Sequence, residues 1–302
     1  MLISLFQGLA KMHYEMLGYF ISYCLQRNYK FHIISNEDDV FFEWLSYYNN
    51  LFNIDIDYYH IDIFTPEIYD VIILVTDDDY QFKESIISEF CHKIICIDHC
   101  SDIRRNNLIY HIGTRDFGRD YAIACFEGVT PLEKKALCGD NIKIICLGTA
   151  GLSETIDYYL DIFDIETVKI CIIARHIPFK NTQTLHPNIE LYNNINTQQM
   201  FDLITSATHM LFLHYPFHNW EDYINFLASG GIQLAFSTGC QLILPDTWNY
   251  NFKSAIKYKY KEKLVIEKPN LLEVFEERRL LIEQRNNLFD KVIAKIQNVS
   301  TT

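Results

Sequence analysis

Apolar and polar positions change period repeatedly along this chain, from runs of branched residues to stripes spaced by three and four. Residues 2–6 (LISLF) form a short apolar run that breaks at Gln7 and Gly8. Over residues 11–27, Met12, Met16, Tyr19, Phe20, Tyr23 and Cys24 recur at helical spacing, which predicts an amphipathic helix. Strand character returns at 31–35, a helix is predicted over 40–51, and residues 54–59 alternate as a strand does. Residues 71–76 (VIILVT) and 93–98 (KIICID) read as strands buried on both faces, with a helix over 81–90 between them. Strand, helix and strand at this spacing imply parallel pairing through right-handed crossovers.

Residues 126–141 (FEGVTPLEKKALCGDN) interrupt the alternation with glycine, proline and charge, so 127–141 is expected to be a linker. A strand at 142–147 then restarts the pattern, ending at Gly148 and Gly151. A helix over 153–163, strands at 168–174 and 189–192, and a helix over 197–206 follow. Strands at 209–214 and 241–244 and a long charged helix over 270–297 complete the chain. The expectation is an α/β protein of two Rossmann-like parallel-sheet domains facing a cleft. They are residues 1–126 and 142–302, with the last helix packing back on the N-terminal half.

The 302 residues allow two domains, and 49% hydrophobic content is enough for two cores. A formal net charge of −13 argues against binding a nucleic-acid polymer, because no cation excess exists to neutralise phosphates. A single nucleotide needs only a local cradle of backbone amides. Nine scattered cysteines, several within apolar runs, fit reduced buried thiols in a cytoplasmic protein. No run approaches the roughly 20 apolar residues of a membrane helix, and no basic leader precedes residues 2–6. Asn298 opens a glycosylation sequon that reads as chance without a secretory signal.

Ligands of open parallel sheets bind beyond the carboxyl ends of the strands, which selects four places. After the first strand come Gly8, His13 and Glu15; His13 is either a general base or a surface histidine of the first helical turn. After the strand at 93–98 stand Asp98 and His99, which either supply a base or hold an acceptor hydroxyl, or are a polar loop. Asp77 and Asp79 have the spacing to share a divalent metal, but capping of the next helix is the preferred reading. Ser229, Gly230 and Gly231 open a helix as an anion cradle of small residues and free amides, and Gly148–Gly151 is a weaker second cradle. Cys91, His92, Cys96, His99 and Cys100 invite a zinc reading, which the missing CxxC pair and the strand through them oppose, so no metal is expected. No GxxxxGK[ST] exists in the chain, and the absence of GxGxxG with a downstream acid argues against a dinucleotide oxidoreductase.

IKIICLGTAG, VKICIIAR and ASGGIQLAFSTGCQLILP, in that order within residues 142–246, resemble the donor domain of GT-B nucleotide-sugar glycosyltransferases. The resemblance implies a nucleotide-sugar donor and no separate cofactor. It implies that Ser229, Gly230 and Gly231 hold the donor diphosphate, with Gly148 and Gly151 as the weaker cradle; the basic pair expected after the first donor-domain strand is missing, and Arg175 and Lys180 after the second strand are its expected substitutes. Gly8 and Glu15 would lie on the side of a glycan or protein-linked acceptor, with His13 near the reacting sugar. The abundance of Ile, Asn and Tyr looks like an AT-rich genome, such as that of a large DNA virus, which would place the protein in a host cytoplasm. Between His218 and Gly239 only Glu221 and Asp222 are carboxylates, where many retaining relatives carry two glutamates. A degenerate relative that binds nucleotide or glycan without catalysis is therefore the alternative, and a metal-dependent single-sheet transferase using Asp77 and Asp79 is a further one.

Overall fold

The computed structural model describes residues 1–8, 14–75, 89–98, 110–113, 121, 123–147, 161–174, 186–212, 230–248, 250–259 and 262–300. These form two six-stranded sheets in which every pairing is parallel. The chain divides into two compact units, and the division does not fall at one point.

The first unit comprises Met1–Phe126, Phe226–Gln233 and Arg279–Thr302. Its strands are β1 (Leu2–Gly8), β2 (Lys30–Ser35), β3 (Tyr58–His60), β4 (Val71–Leu74), β5 (Ile94–Asp98) and β6 (Tyr110–Gly113), ordered β3-β2-β1-β4-β5-β6. The central strands carry branched residues on both faces, and Ile3, Leu5, Ile72, Ile73, Ile94 and Ile95 are wholly buried. Helix α1 (Leu17–Gln26) is enclosed on most sides. At Gly18 a methyl group would meet the rings of Phe126 and Tyr48 at 2.6 Å, so only glycine lets these elements approach. Helix α2 (Asp39–Phe52) starts where the Asp38 carboxylate accepts from the Phe41 amide, and stops where Asn53 turns left-handed at φ 51°.

The second unit comprises Glu127–Asn225 and Leu234–Arg278. Its strands are β7 (Ile142–Leu147), β8 (Val168–Ala174), β9 (Ile189–Asn193), β10 (His209–Leu211), β11 (Gln241–Pro245) and β12 (Ile256–Tyr258), ordered β12-β11-β10-β7-β8-β9. Ile144, Ile170, Ile172, Ile243, Phe163 and Leu211 build one face of its core. The stretch expected to be a linker contains helix α3 (Pro131–Cys138). Thr130 and Glu133 form a capping box there, a signal present in the sequence as T-x-x-E before an apolar position. Lys134 is buried, and its ammonium donates to the carbonyls of Ile204 and Thr205 at 3.3 and 2.9 Å. Those carbonyls end helix α4 (Thr197–Thr205), so the buried charge meets the negative end of a helix.

Two helices run across the division. Helix α5 (Gly230–Ser237) gives residues to the first unit up to Gln233, and helix α6 (Leu271–Ser300) gives residues to it from Arg279 onward. Within the first unit, Phe289 of α6 packs at 5.6 Å from each of the rings of Tyr19, Phe20 and Tyr23. Asp290 accepts from the Tyr23 hydroxyl at 2.8 Å and from two nitrogens of Arg27. Arg285 lies over the Tyr19 ring at 2.9 Å and donates to the Ile123 carbonyl at 2.6 Å, which compensates a fully buried guanidinium. Among the described residues no helix is long and apolar enough to cross a membrane.

Several expected elements differ in extent. The strand expected over 54–59 is Tyr58–His60, because it lies at a sheet edge and pairs on one side alone. The strand expected over 209–214 is described as His209–Leu211. Strands β6 and β12 went unpredicted: each is short, at an edge, and interrupted by a polar residue, His111 or Lys257.

Candidate active site

Both sheets reverse their strand order beside their first strand, between β1 and β4 and between β7 and β10. At such a switch point neighbouring crossovers diverge, and a crevice opens at the carboxyl ends of the strands. In the first unit that end is marked by a register shift between Phe6, opposite Ile34, and Gly8, opposite Ser35. Ser35 is fully buried, and its hydroxyl has no hydrogen-bond partner among the described residues. The turn Tyr14–Met16 then leads into α1. The Tyr48 hydroxyl donates to the Tyr14 carbonyl at 2.9 Å and the Tyr14 hydroxyl donates to Asp38 at 3.3 Å. With Tyr14 and Met16 both buried, this turn is pinned, and Glu15 between them is directed to its open side.

Glu15 reaches Gly230, the first residue of α5. A methyl group on Gly230 would overlap the Glu15 carboxylate oxygen, with its Cδ at 2.9 Å and Cγ at 3.4 Å. Glycine at 230 therefore leaves room for an anionic group at the amide end of a helix, where the macrodipole favours negative charge. Gly231 follows within the same helix. Both glycines belong to the first unit, although the sequence reading assigned them to the donor half. The approach of Glu15 to Gly230 was not foreseen, because nothing in local spacing links two residues so far apart in the chain.

Asp98 is the last residue of β5 and is wholly buried. His111 of β6 places Nδ1 2.9 Å from its Oδ1. This partner was missed in the sequence, since β6 was not predicted and His111 has no motif around it. His13, His99, Gly148, Gly151, Arg175 and Ser229 lie outside the described residues, as do Asp77, Asp79 and Cys100. Cys91 and His92 occupy a turn before β5, while Cys96 lies within the strand.

In the second unit, an aromatic group stands at the carboxyl ends of β10, β11 and β12. Phe212 donates its amide to Ile243 and accepts from the Tyr258 hydroxyl at 2.8 Å, which fixes the chain just past β10. Its ring lies 5.6 Å from that of Trp248, and Tyr250 stacks on Phe252 at 5.4 Å. A half-buried phenyl face at a strand end is suited to stacking on a planar ring.

No protein-family profile and no curated protein matches the sequence. Solved structures do match. Anabaena HepE in complex with UDP and glucose is 11% identical, with a TM-score of 0.53, covering 100% of this chain and 98% of that one. The UDP-GlcNAc 2-epimerase of Methanocaldococcus jannaschii, in complex with UDP-GlcNAc and UDP, is 11% identical, with a TM-score of 0.52 and 93% of each chain covered. The fold is that of the GT-B class. At these identities the GT-B likeness establishes architecture, and chemistry must come from the side chains.

Proposed function

We propose that this GT-B protein transfers a sugar from a nucleotide-diphosphate donor to a hydroxyl acceptor. The observation that carries the proposal is the pair of six-stranded sheets that reverse order beside their first strands, an architecture matched end to end in HepE, which is seen with UDP and glucose. The glycine-led start of α5 supports it, because it already accommodates a carboxylate at its amide end.

In the first unit the donor diphosphate would lie on Gly230 and Gly231 with Ser229, and Gly148, Gly151 and Arg175 would offer a separate anion-binding group in the second unit. The amide end of α5 would stabilise the charge that grows on the leaving group. Glu15 would yield its place at Gly230 to the phosphate and turn towards the acceptor beside Gly8. His13 would take the acceptor proton as the hydroxyl attacks the anomeric carbon. His99 would hold the acceptor hydroxyl, and Asp98, already engaged by His111, is assigned no proton-transfer step. No step is routed through a metal. The acceptor is a glycan or a protein-linked hydroxyl. Buried thiols outside any disulfide, such as Cys24 and Cys240, favour a reducing, cytoplasmic setting, and the abundance of Ile, Asn and Tyr favours an AT-rich viral genome.

Calorimetry with UDP, GDP and TDP, followed by incubation with the matching sugar nucleotides and a panel of glycan acceptors, tests the proposal. The expected result is binding of one base and acceptor-dependent release of the diphosphate. Failure of every nucleotide to bind would overturn it. Binding without turnover across the acceptor panel would favour the non-catalytic relative, and conversion of the sugar without acceptor would favour an epimerase.

A further inference from the structure

The geometry points to a zinc-class metal site in the first unit, made by Cys96, Asp98 and His111. Cys96 and Asp98 are two residues apart on β5 and therefore share one face of the sheet. His111 is the direct partner of Cys96 in the neighbouring strand β6, so its side chain joins them on that face. A ligand atom from each of the three lies within 4.8 Å of the other two. Metal bonds of about 2.0–2.3 Å in a tetrahedron set ligand atoms roughly 3.3–3.8 Å apart, so closure requires movement of about an ångström.

Charge and chemistry select the ion. A thiolate and a carboxylate together carry two negative charges, and a divalent cation makes the assembly neutral. Neutrality matters here, because Cys96 and Asp98 are both completely buried, where an uncompensated charge is costly. Sulfur, nitrogen and oxygen donors together suit zinc and exclude the oxygen-only preference of magnesium and calcium. On binding, Cys96 gives up its thiol proton to solvent, and His111 supplies a ring-nitrogen lone pair. The Nε2 atom of His111 is buried with no hydrogen-bond partner among the described residues, whereas Nδ1 lies 2.9 Å from Asp98 Oδ1, so metal binding exchanges that one contact for two metal bonds. The three ligands found among the described residues leave a fourth position for water, at the carboxyl end of β5. The zinc pattern suspected along the chain at 91–100 thus shares only Cys96 with the site that the strands assemble.

Cobalt titration of the reduced, chelator-treated protein tests this. The expected spectrum has a thiolate-to-cobalt charge-transfer band and the intense visible bands of a four-coordinate ion. It should saturate near one equivalent and vanish on addition of zinc. Cys96→Ser should lose the charge-transfer band, and His111→Gln should weaken cobalt binding at least about tenfold. Absence of a thiolate band, or a band unchanged in both variants, would overturn the site. Should Cys96→Ser fail to fold by circular dichroism, Asp98→Asn and His111→Gln carry the same comparison. The readout is metal binding alone, so its failure leaves the sugar-transfer proposal standing, and failure of that proposal leaves the metal site untouched.

Discussion

Acidification should destabilise the second unit through one buried histidine. His209 opens β10, between β7 and β11, and is wholly buried. Its Nδ1 lies 2.9 Å from the Thr208 hydroxyl, which accepts from the Lys143 amide and donates to the Lys143 carbonyl. With the hydroxyl proton spent on that carbonyl, Nδ1 is the donor to the Thr208 hydroxyl. Desolvation lowers the His209 pKa from 6.5 to about 4; a hydrogen bond with the Gln241 side chain opposes this, and the Lys134 ammonium adds to it. The unfolded chain therefore binds a proton that the folded chain refuses throughout this window, and stability falls as the pH falls through it. A shift of this size costs about 3 kcal/mol in full, and about 2 kcal/mol between about pH 7.5 and about pH 5. Urea unfolding of the protein and of His209→Gln at those two values separates this contribution from that of the carboxylates. The variant is less stable at neutral pH but should lose about 2 kcal/mol less on acidification. Equal losses in both proteins would refute the assignment.

Other outcomes follow from single contacts. Glu15→Gln removes a competing negative charge from the start of α5, and UDP affinity by calorimetry should rise by about threefold to tenfold; no change or a loss would remove Glu15 from the anion site. Gly239 sits at φ +68°, and a methyl group there would lie 2.5 Å from Phe275 Cζ. Gly239→Ala should cost about 3 kcal/mol by denaturant unfolding, partly recovered when Phe275→Leu is added. Lys134→Met leaves the Thr205 and Ile204 carbonyls without their charged donor, and a loss of about 2 kcal/mol is expected in the same assay.

Local pattern carried much of the architecture. Continuous branched runs such as VIIL at 71–74 and IKIICL at 142–147 are buried strands because only a sheet covered on both sides removes every such side chain from water. The caps at Asp38 and Asn196 are local, because a capping bond spans three residues. The helix at 131–138 is hard to tell from a linker in sequence, because Pro131 and Gly139, which begin and end it, also punctuate linkers.

What the sequence determined by itself was the identity of strands and helices, since hydrophobic period and capping act within a few residues. What only the tertiary structure decided was which polar groups meet. Strand pairing set His111 beside Asp98 and Cys96, and packing carried Glu15 to Gly230. The physical reason is that a hydrogen bond or a metal bond depends on distance in space, and parallel strands joined by long crossovers bring together residues whose separation along the chain has no period.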